Sequence, residues 1–290
     1  MKPQHYSNAI RGILFIILLL SASPITAKEI RLEMPNKLTG IASYHANDTD
    51  KAAVLVLHGF LQTHEFSTIQ FIINALVDSD YPVLAPTLSL NTDLRRQSKA
   101  CDSVHTHNIE DGNLEIKRWI QWLKKQGHQS IVLIGHSSGN LQLISFVQNN
   151  TEPAINALIA VSPGTIWNPY KQVQTVDDIL DATKTTKTST DKLSKYSLGF
   201  CDNNYMTTAE NFLSYSNWTE GRLLKSLQTI GIKTLVITGD NDPYVPDNWA
   251  KKLVENNVHV EVIKGANHFY SGEAEFLLQD AIINGLENNK

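Results

Sequence analysis

The chain carries no excess of basic charge: 25 Lys and Arg stand against 29 Asp and Glu, for a formal net charge of −4. Without a cationic stripe there is no electrostatic footprint for nucleic acid, and that class of partner is set aside. Beyond residue 27 no apolar run is long enough to span a bilayer. Internal repeats and low-complexity tracts are absent, although Thr183 to Thr190 forms a polar run. Cysteine is nearly absent, with Cys101 and Cys201 alone. At 290 residues the chain is too short for two comfortable domains and a linker, so one large domain with an insertion is expected.

What is present begins with the N-terminus. Lys2 and Arg11 lead into the unbroken apolar stretch Gly12–Leu20, followed by the small-residue exit Ser21-Ala22-Ser23-Pro24 and Ile25-Thr26-Ala27. That layout predicts a signal peptide over 1–27, cleavage after Ala27, and a periplasmic or secreted protein starting at Lys28. An uncleaved anchor is the alternative, but the apolar core falls short of the roughly 20 residues a spanning helix needs. Removing Lys2 and Arg11 takes the net charge from −4 to −6. In an exported protein an even cysteine pair favours a disulfide, here Cys101 to Cys201, against the other reading of two separate thiols. Such a bridge would close a loop of about 100 residues, for which chain entropy suggests about 4 to 5 kcal/mol less any strain.

Glu29–Met34 and Leu38–His45 alternate loosely, as antiparallel edge strands do, around Pro35-Asn36. From Ala52 the character changes. Ala52–Leu57 is a continuous apolar run closed by Gly59, which is how a strand buried on both faces of a parallel sheet reads. Helical and strand patterns then alternate: helix Ser67–Leu76, strand Tyr81–Ala85, helix Ile109–Lys125, strand Ser130–Ile134, helix Asn140–Gln148 and strand Ala154–Val161. Strand Lys233–Thr238, helix Asn248–Glu255, strand His259–Ile263 and a terminal helix complete the series. The alternation predicts an α/β fold, a doubly wound and mostly parallel sheet of about eight strands. Residues 163–227 break the rhythm with no buried-strand pattern, and are read as a helical cap insertion over the carboxyl ends of the strands.

Strand Ile131–Ile134 runs directly into Gly135-His136-Ser137-Ser138-Gly139 and then into an apolar helix. A serine on so sharp a turn is presented at the sheet edge, and the free amides of the following helix favour negative charge beside it. A hydroxyl is a weak nucleophile until a base takes its proton, so a histidine held by a carboxylate is required elsewhere. Two late loops offer them: Gly239-Asp240-Asn241-Asp242 after one strand and Gly265-Ala266-Asn267-His268 after the next. Both leave the sheet at the edge where Ser137 stands.

On these motifs the chain resembles the α/β-hydrolase superfamily, from about residue 52 to the C-terminus. The resemblance implies an exported serine hydrolase that cleaves a carboxylic ester or thioester without a cofactor, with Ser137 as nucleophile and His268 as base. In the family's Gly-Asp-x-Asp-x-x-Val-Pro segment the second Asp is the acid, which here is Asp242; Asp240 remains the rival, or a loop brace. The resemblance also implies an oxyanion hole from the amides of Phe60 and Ser138, with Leu61 an alternative donor and His58 a loop brace. Expected partners are small-molecule or lipid-like acyl esters, with no stable membrane span after signal cleavage. Acyl transfer by the same triad, or a binding protein that keeps the fold without turnover, are the rival functions.

The segment Cys101 to Asp111 also holds His105 and His107. A metal reading lacks a second ligand pair at recognisable spacing, so no metal is expected. Asn108 reads as a helix cap with Glu110 and Asp111 in the first turn, and His105 or His107 as candidate linings of the substrate pocket. The insertion's aromatics, Trp167, Tyr170, Tyr196, Phe200, Tyr205, Phe212, Tyr215 and Trp218, read mainly as its core.

Overall fold

The computed structural model describes residues 27–47, 49–167, 172–189 and 191–288. The expected signal segment, apart from Ala27, and Tyr170 lie outside the described residues. Among the described residues no helix is long and apolar enough to cross a membrane.

Eight strands form one sheet in the order β1-β2-β4-β3-β5-β6-β9-β10. Strands β1 (Lys28–Glu33) and β2 (Thr39–His45) are antiparallel to each other, and β2 is antiparallel to β4 (Val83–Thr87). From β4 onward, through β3 (Ala53–Leu57), β5 (Ile131–His136), β6 (Ile155–Val161), β9 (Lys233–Gly239) and β10 (His259–Ile263), every pairing is parallel. The uninterrupted apolar runs follow from burial on both faces. Val54, Val56, Val132 and Ile134 face one core, under helices α1 (Ser67–Asp78) and α8 (Ala274–Glu287). Leu55, Leu57, Leu133 and Leu158 face the other, under α2 (Ile109–Lys125) and α3 (Ser138–Asn149). Helix α2 opens with a capping box, Asn108 accepting from the amides of Glu110 and Asp111 while Asp111 accepts from that of Asn108.

Among its described residues the stretch 163–227 holds three helices, α4 (Gln172–Thr185), α5 (Ala209–Ser216) and α6 (Glu220–Thr229), the last running slightly past it. It also holds an antiparallel hairpin, β7 (Leu193–Leu198) with β8 (Cys201–Thr208), which corrects the expectation of no buried strand there. The sequence hid it because the buried positions include Ser197 and Thr207 beside Tyr196, Leu198 and Tyr205, so polar letters mask a period of two. Tyr196, Tyr205, Phe212 and Trp218 are fully buried, with the Tyr196 and Phe212 rings stacked 4.2 Å apart. Cys101 and Cys201 are bridged, their Cα atoms 5.4 Å apart, so the hairpin is tied covalently to the loop that precedes α2.

Candidate active site

The carboxyl ends of five parallel strands converge on Ser137. It sits between β5 and α3 with φ 56° and ψ −127°, a left-handed conformation that a side chain adopts only when its surroundings compel it. The compulsion is visible. The Ser137 amide donates to Val161 O at 3.0 Å, and the buried Asn140 side chain donates to the carbonyls of both Ser137 (3.0 Å) and Val161 (2.8 Å). Gly139 is required for packing, since a Cβ there would lie 2.6 Å from His58 O and 2.7 Å from Leu57 O. The helix can therefore start against β3 with its free amides beside Ser137.

His268 bridges the two other predicted residues. Its Nε2 lies 2.9 Å from Ser137 Oγ, and its Nδ1 lies 2.8 and 3.0 Å from the Asp242 carboxylate oxygens. With Nδ1–H donating to the carboxylate, Nε2 is left to accept the serine proton. The ring is also held from behind, because His136 Nε2 donates to His268 O at 2.8 Å. His136 is buried and neutral, burial pushing its pKa down to about 3. Burial raises the Asp242 pKa, but hydrogen bonds from His268, Ser162 and the Tyr244 amide, with the His268 charge, outweigh it and leave the carboxyl below its ordinary value. Asp242 thus stays ionised beside the imidazole. Asp240 is the loop brace, its Oδ1 accepting from the Gly265 amide at 2.5 Å.

The loop after β3 approaches from the other side. A Cβ on Gly59 would come within 3.3 Å of the Ser137 Cβ. The Gly59 carbonyl accepts from His58 Nδ1 (2.8 Å) and from the Gln62 amide (3.2 Å). Because a trans peptide is planar, fixing that oxygen also fixes the direction of the Phe60 N–H. His58 is held in this tautomer by the Leu88 amide, which donates to its Nε2 at 3.1 Å, and burial, then the Arg95 charge, lower its pKa to about 3. The sequence reading of His58 as a brace agrees with this placement.

Arg95 is the residue that sequence reasoning missed. It is buried at 4% exposure, and its guanidinium donates to the carbonyls of Leu88 (2.7 Å), Leu61 (3.3 Å), Gln62 (2.7 Å) and Gln97 (2.9 Å), with His58 Nε2 at 3.3 Å. Burial lowers its pKa to about 10, against the opposing charge of Glu115. The cation therefore locks the 58–62 loop through its backbone. One arginine of the pair Arg95-Arg96, between Leu94 and Gln97, gave no signal in the sequence.

A crevice opens over Ser137 between Phe60, Gln62, His268 and Phe269 on one side and Ile166, Trp167 and Phe200 on the other. The structure does not bring His105 or His107 to it. His105 has no exposed surface, stacks on Tyr205 at 4.1 Å, and its backbone is stitched to β8 through Met206 and Thr207. His107 Nδ1 pairs with Tyr215 OH at 2.7 Å and borders a small cavity behind Phe60 that shares Phe60 and Ser138 with the crevice. Both are neutral, burial lowering His105 to about 4 and His107 well below its ordinary value. They dock the insertion onto the sheet domain and do not line the crevice. Cys101 is engaged in the disulfide, and among the described residues no group of three or more His, Cys, Asp or Glu is placed to hold a metal ion.

Residues 54–279 match a family described as the alpha/beta hydrolase family. Among solved structures the chain is similar to Est1E from Butyrivibrio proteoclasticus, with a TM-score of 0.62 at 15% identity over 91% of this chain and 98% of that one. It is also similar to the alpha/beta hydrolase GrgF from Penicillium sp. sh18, with a TM-score of 0.66 at 12% identity over 91% and 99% of the two chains. The Pyrococcus furiosus esterase Pf2001 gives a TM-score of 0.59 at 17% identity over 91% and 90%. At these identities the likeness is one of fold. No curated protein matches the chain.

Proposed function

The chain belongs to the alpha/beta hydrolase family, and from that premise we propose that it is an exported serine esterase acting through Ser137, His268 and Asp242. The observation that carries the reading is the continuous contact from Ser137 Oγ to His268 Nε2 and from His268 Nδ1 to Asp242. Ser137 Oγ attacks the ester carbonyl carbon and gives its proton to His268 Nε2, while Asp242 holds the imidazolium through Nδ1–H. The carbonyl π electrons move to oxygen, where the amides of Phe60 and Ser138 receive the charge. Collapse expels the alcohol oxygen, which takes the proton from Nε2. Water repeats the sequence on the acyl-enzyme and frees the acid. Solved esterases of similar fold support ester over amide cleavage. The Cys101–Cys201 bridge supports an oxidising compartment, in keeping with the signal-like N-terminus.

The test is active-site labelling joined to turnover. A fluorophosphonate probe is expected to label the wild-type protein once, at Ser137, and not the Ser137→Ala variant. That variant is expected to lose hydrolysis of short acyl esters. Full activity in folded Ser137→Ala protein would sink the mechanism.

A further inference from the structure

The site continues past the crevice. Thr165, Trp167 and Tyr244 border both the crevice and a second, outer cavity whose other walls include Glu220, Asp247 and Lys252. The two differ in size and chemistry. The crevice offers about 70 Å³ of room, and away from the reacting groups its walls are mostly apolar, with Phe60, Ile166, Phe200 and Phe269 beside the polar side chains of Gln62 and Thr165. The outer cavity offers about 360 Å³. There Lys252 Nζ lies 2.6 Å from Glu220 Oε1, and Asp247 presents an exposed carboxylate. Lysine supplies donors only and carboxylates acceptors only, so the wall presents both kinds.

A matching ligand must donate and accept in the same small volume, which is what hydroxyl groups do. An aliphatic chain would desolvate these charges without repaying them in hydrogen bonds. An anionic group would meet two carboxylates and one ammonium. Trp167 adds a flat surface at the junction: it is half-buried, and its Nε1 donates to Ser216 O at 2.7 Å, which fixes the ring. Such an anchored indole packs well against the C–H face of a sugar ring.

We propose that the substrate is an acyl ester of a polyhydroxylated alcohol, a sugar ester, whose compact apolar acyl group occupies the crevice and whose sugar occupies the outer cavity. The proposal rests on the esterase reading. The bond broken joins the acyl carbon to a sugar oxygen, the new bond joins that carbon to Ser137 Oγ, and the serine proton passes through His268 to the departing sugar hydroxyl.

The experiment compares two butyrate esters on the purified protein, methyl 6-O-butyryl-glucopyranoside and ethyl butyrate, with butyrylcholine as a third arm. The sugar ester is expected to show a kcat/KM about tenfold or more above ethyl butyrate. Trp167→Ala and, separately, Lys252→Ala are expected to bring that ratio toward one. The Lys252 variant keeps the test alive if Trp167→Ala does not fold. A wild-type ratio near one, a ratio unmoved in folded variants, or a preference for butyrylcholine would overturn the proposal while leaving the esterase reading standing. No turnover of any of the three by folded protein would overturn both.

Discussion

The floor and the roof of the crevice are held by different means. The floor is made of loops leaving parallel strands, and its reacting groups are fixed through backbone: Asn140 on the elbow, His136 on the His268 carbonyl, Arg95 and His58 on the 58–62 loop. The roof is a short hairpin and the 164–167 segment, held by the disulfide, by the Gly199 amide on Ile166 O at 2.7 Å, and by the Phe200 ring edge-on to Phe60 at 5.5 Å. The proposed chemistry thus sits where the sheet dictates position, and the proposed selection where side chains and one covalent bond do. A constellation that must hold to a fraction of an ångström belongs on the first kind of support.

The largest effect that sharpens this contrast is on the floor. His268→Ala is expected to lower kcat by about four orders of magnitude or more, and adding Ser137→Ala should cost almost nothing further, because the two act as a unit. Initial-rate kinetics on a short ester checks this; additive losses would mean the residues work separately. On the roof, replacing both cysteines by serine is expected to lower stability by about 2 to 5 kcal/mol in denaturant titration. KM should rise more than kcat falls, since the floor is untouched. A kcat collapse with KM constant would erase the distinction between the two regions.

Arg95→Met tests whether the floor's second layer matters to the reaction as well as to folding. Loss of its carbonyl contacts is expected to lower kcat about 10- to 100-fold with a smaller change in KM, as expected of a disturbed oxyanion donor. A fall in melting temperature with kcat preserved would reduce Arg95 to a structural role. An effect on stability alone concerns Glu115, which accepts from the amide and hydroxyl of Ser89. Burial raises its pKa from 4.5 to about 7 against the lowering effects of Ser89 and Arg95. The folded state then binds the proton more tightly than the unfolded one. This stability is fully present below pH 4.5 and is lost as pH rises through about 7, by at most about 1.4 kcal/mol per pH unit. Glu115→Gln is expected to remove that slope, read as the difference between variant and wild-type denaturation midpoints across pH 5 to 7.5. Buried neutral imidazoles such as His58 and His136 drive the opposite trend in acid, which is why the difference is the measurement.

The sheet was legible because a strand buried on both faces has to be apolar without a break, and Ala53–Leu57 and Ile131–Ile134 are. The candidate triad was legible because its three residues follow strand ends in a fixed chain order. The hairpin was not, since Ser197 and Thr207 are buried through hydrogen bonds that a letter pattern does not display. Nor were Arg95 and the docking roles of His105 and His107, each defined by partners distant in sequence: Arg95 by carbonyls up to 34 positions away, His107 by a tyrosine 108 positions on.

The bridge between Cys101 and Cys201 encloses Ser137 but neither Asp242 nor His268. Within the enclosed stretch, Lys184 and Lys187 stand exposed at the end of α4. A tryptic nick there would place Cys101 and Ser137 on one fragment, and Cys201, Asp242 and His268 on the other. The nicked protein would migrate as a single species without reductant and as two with it. In that form the acid and base would meet their serine across two polypeptides, held in register by one sulfur bond and the strands of a shared sheet.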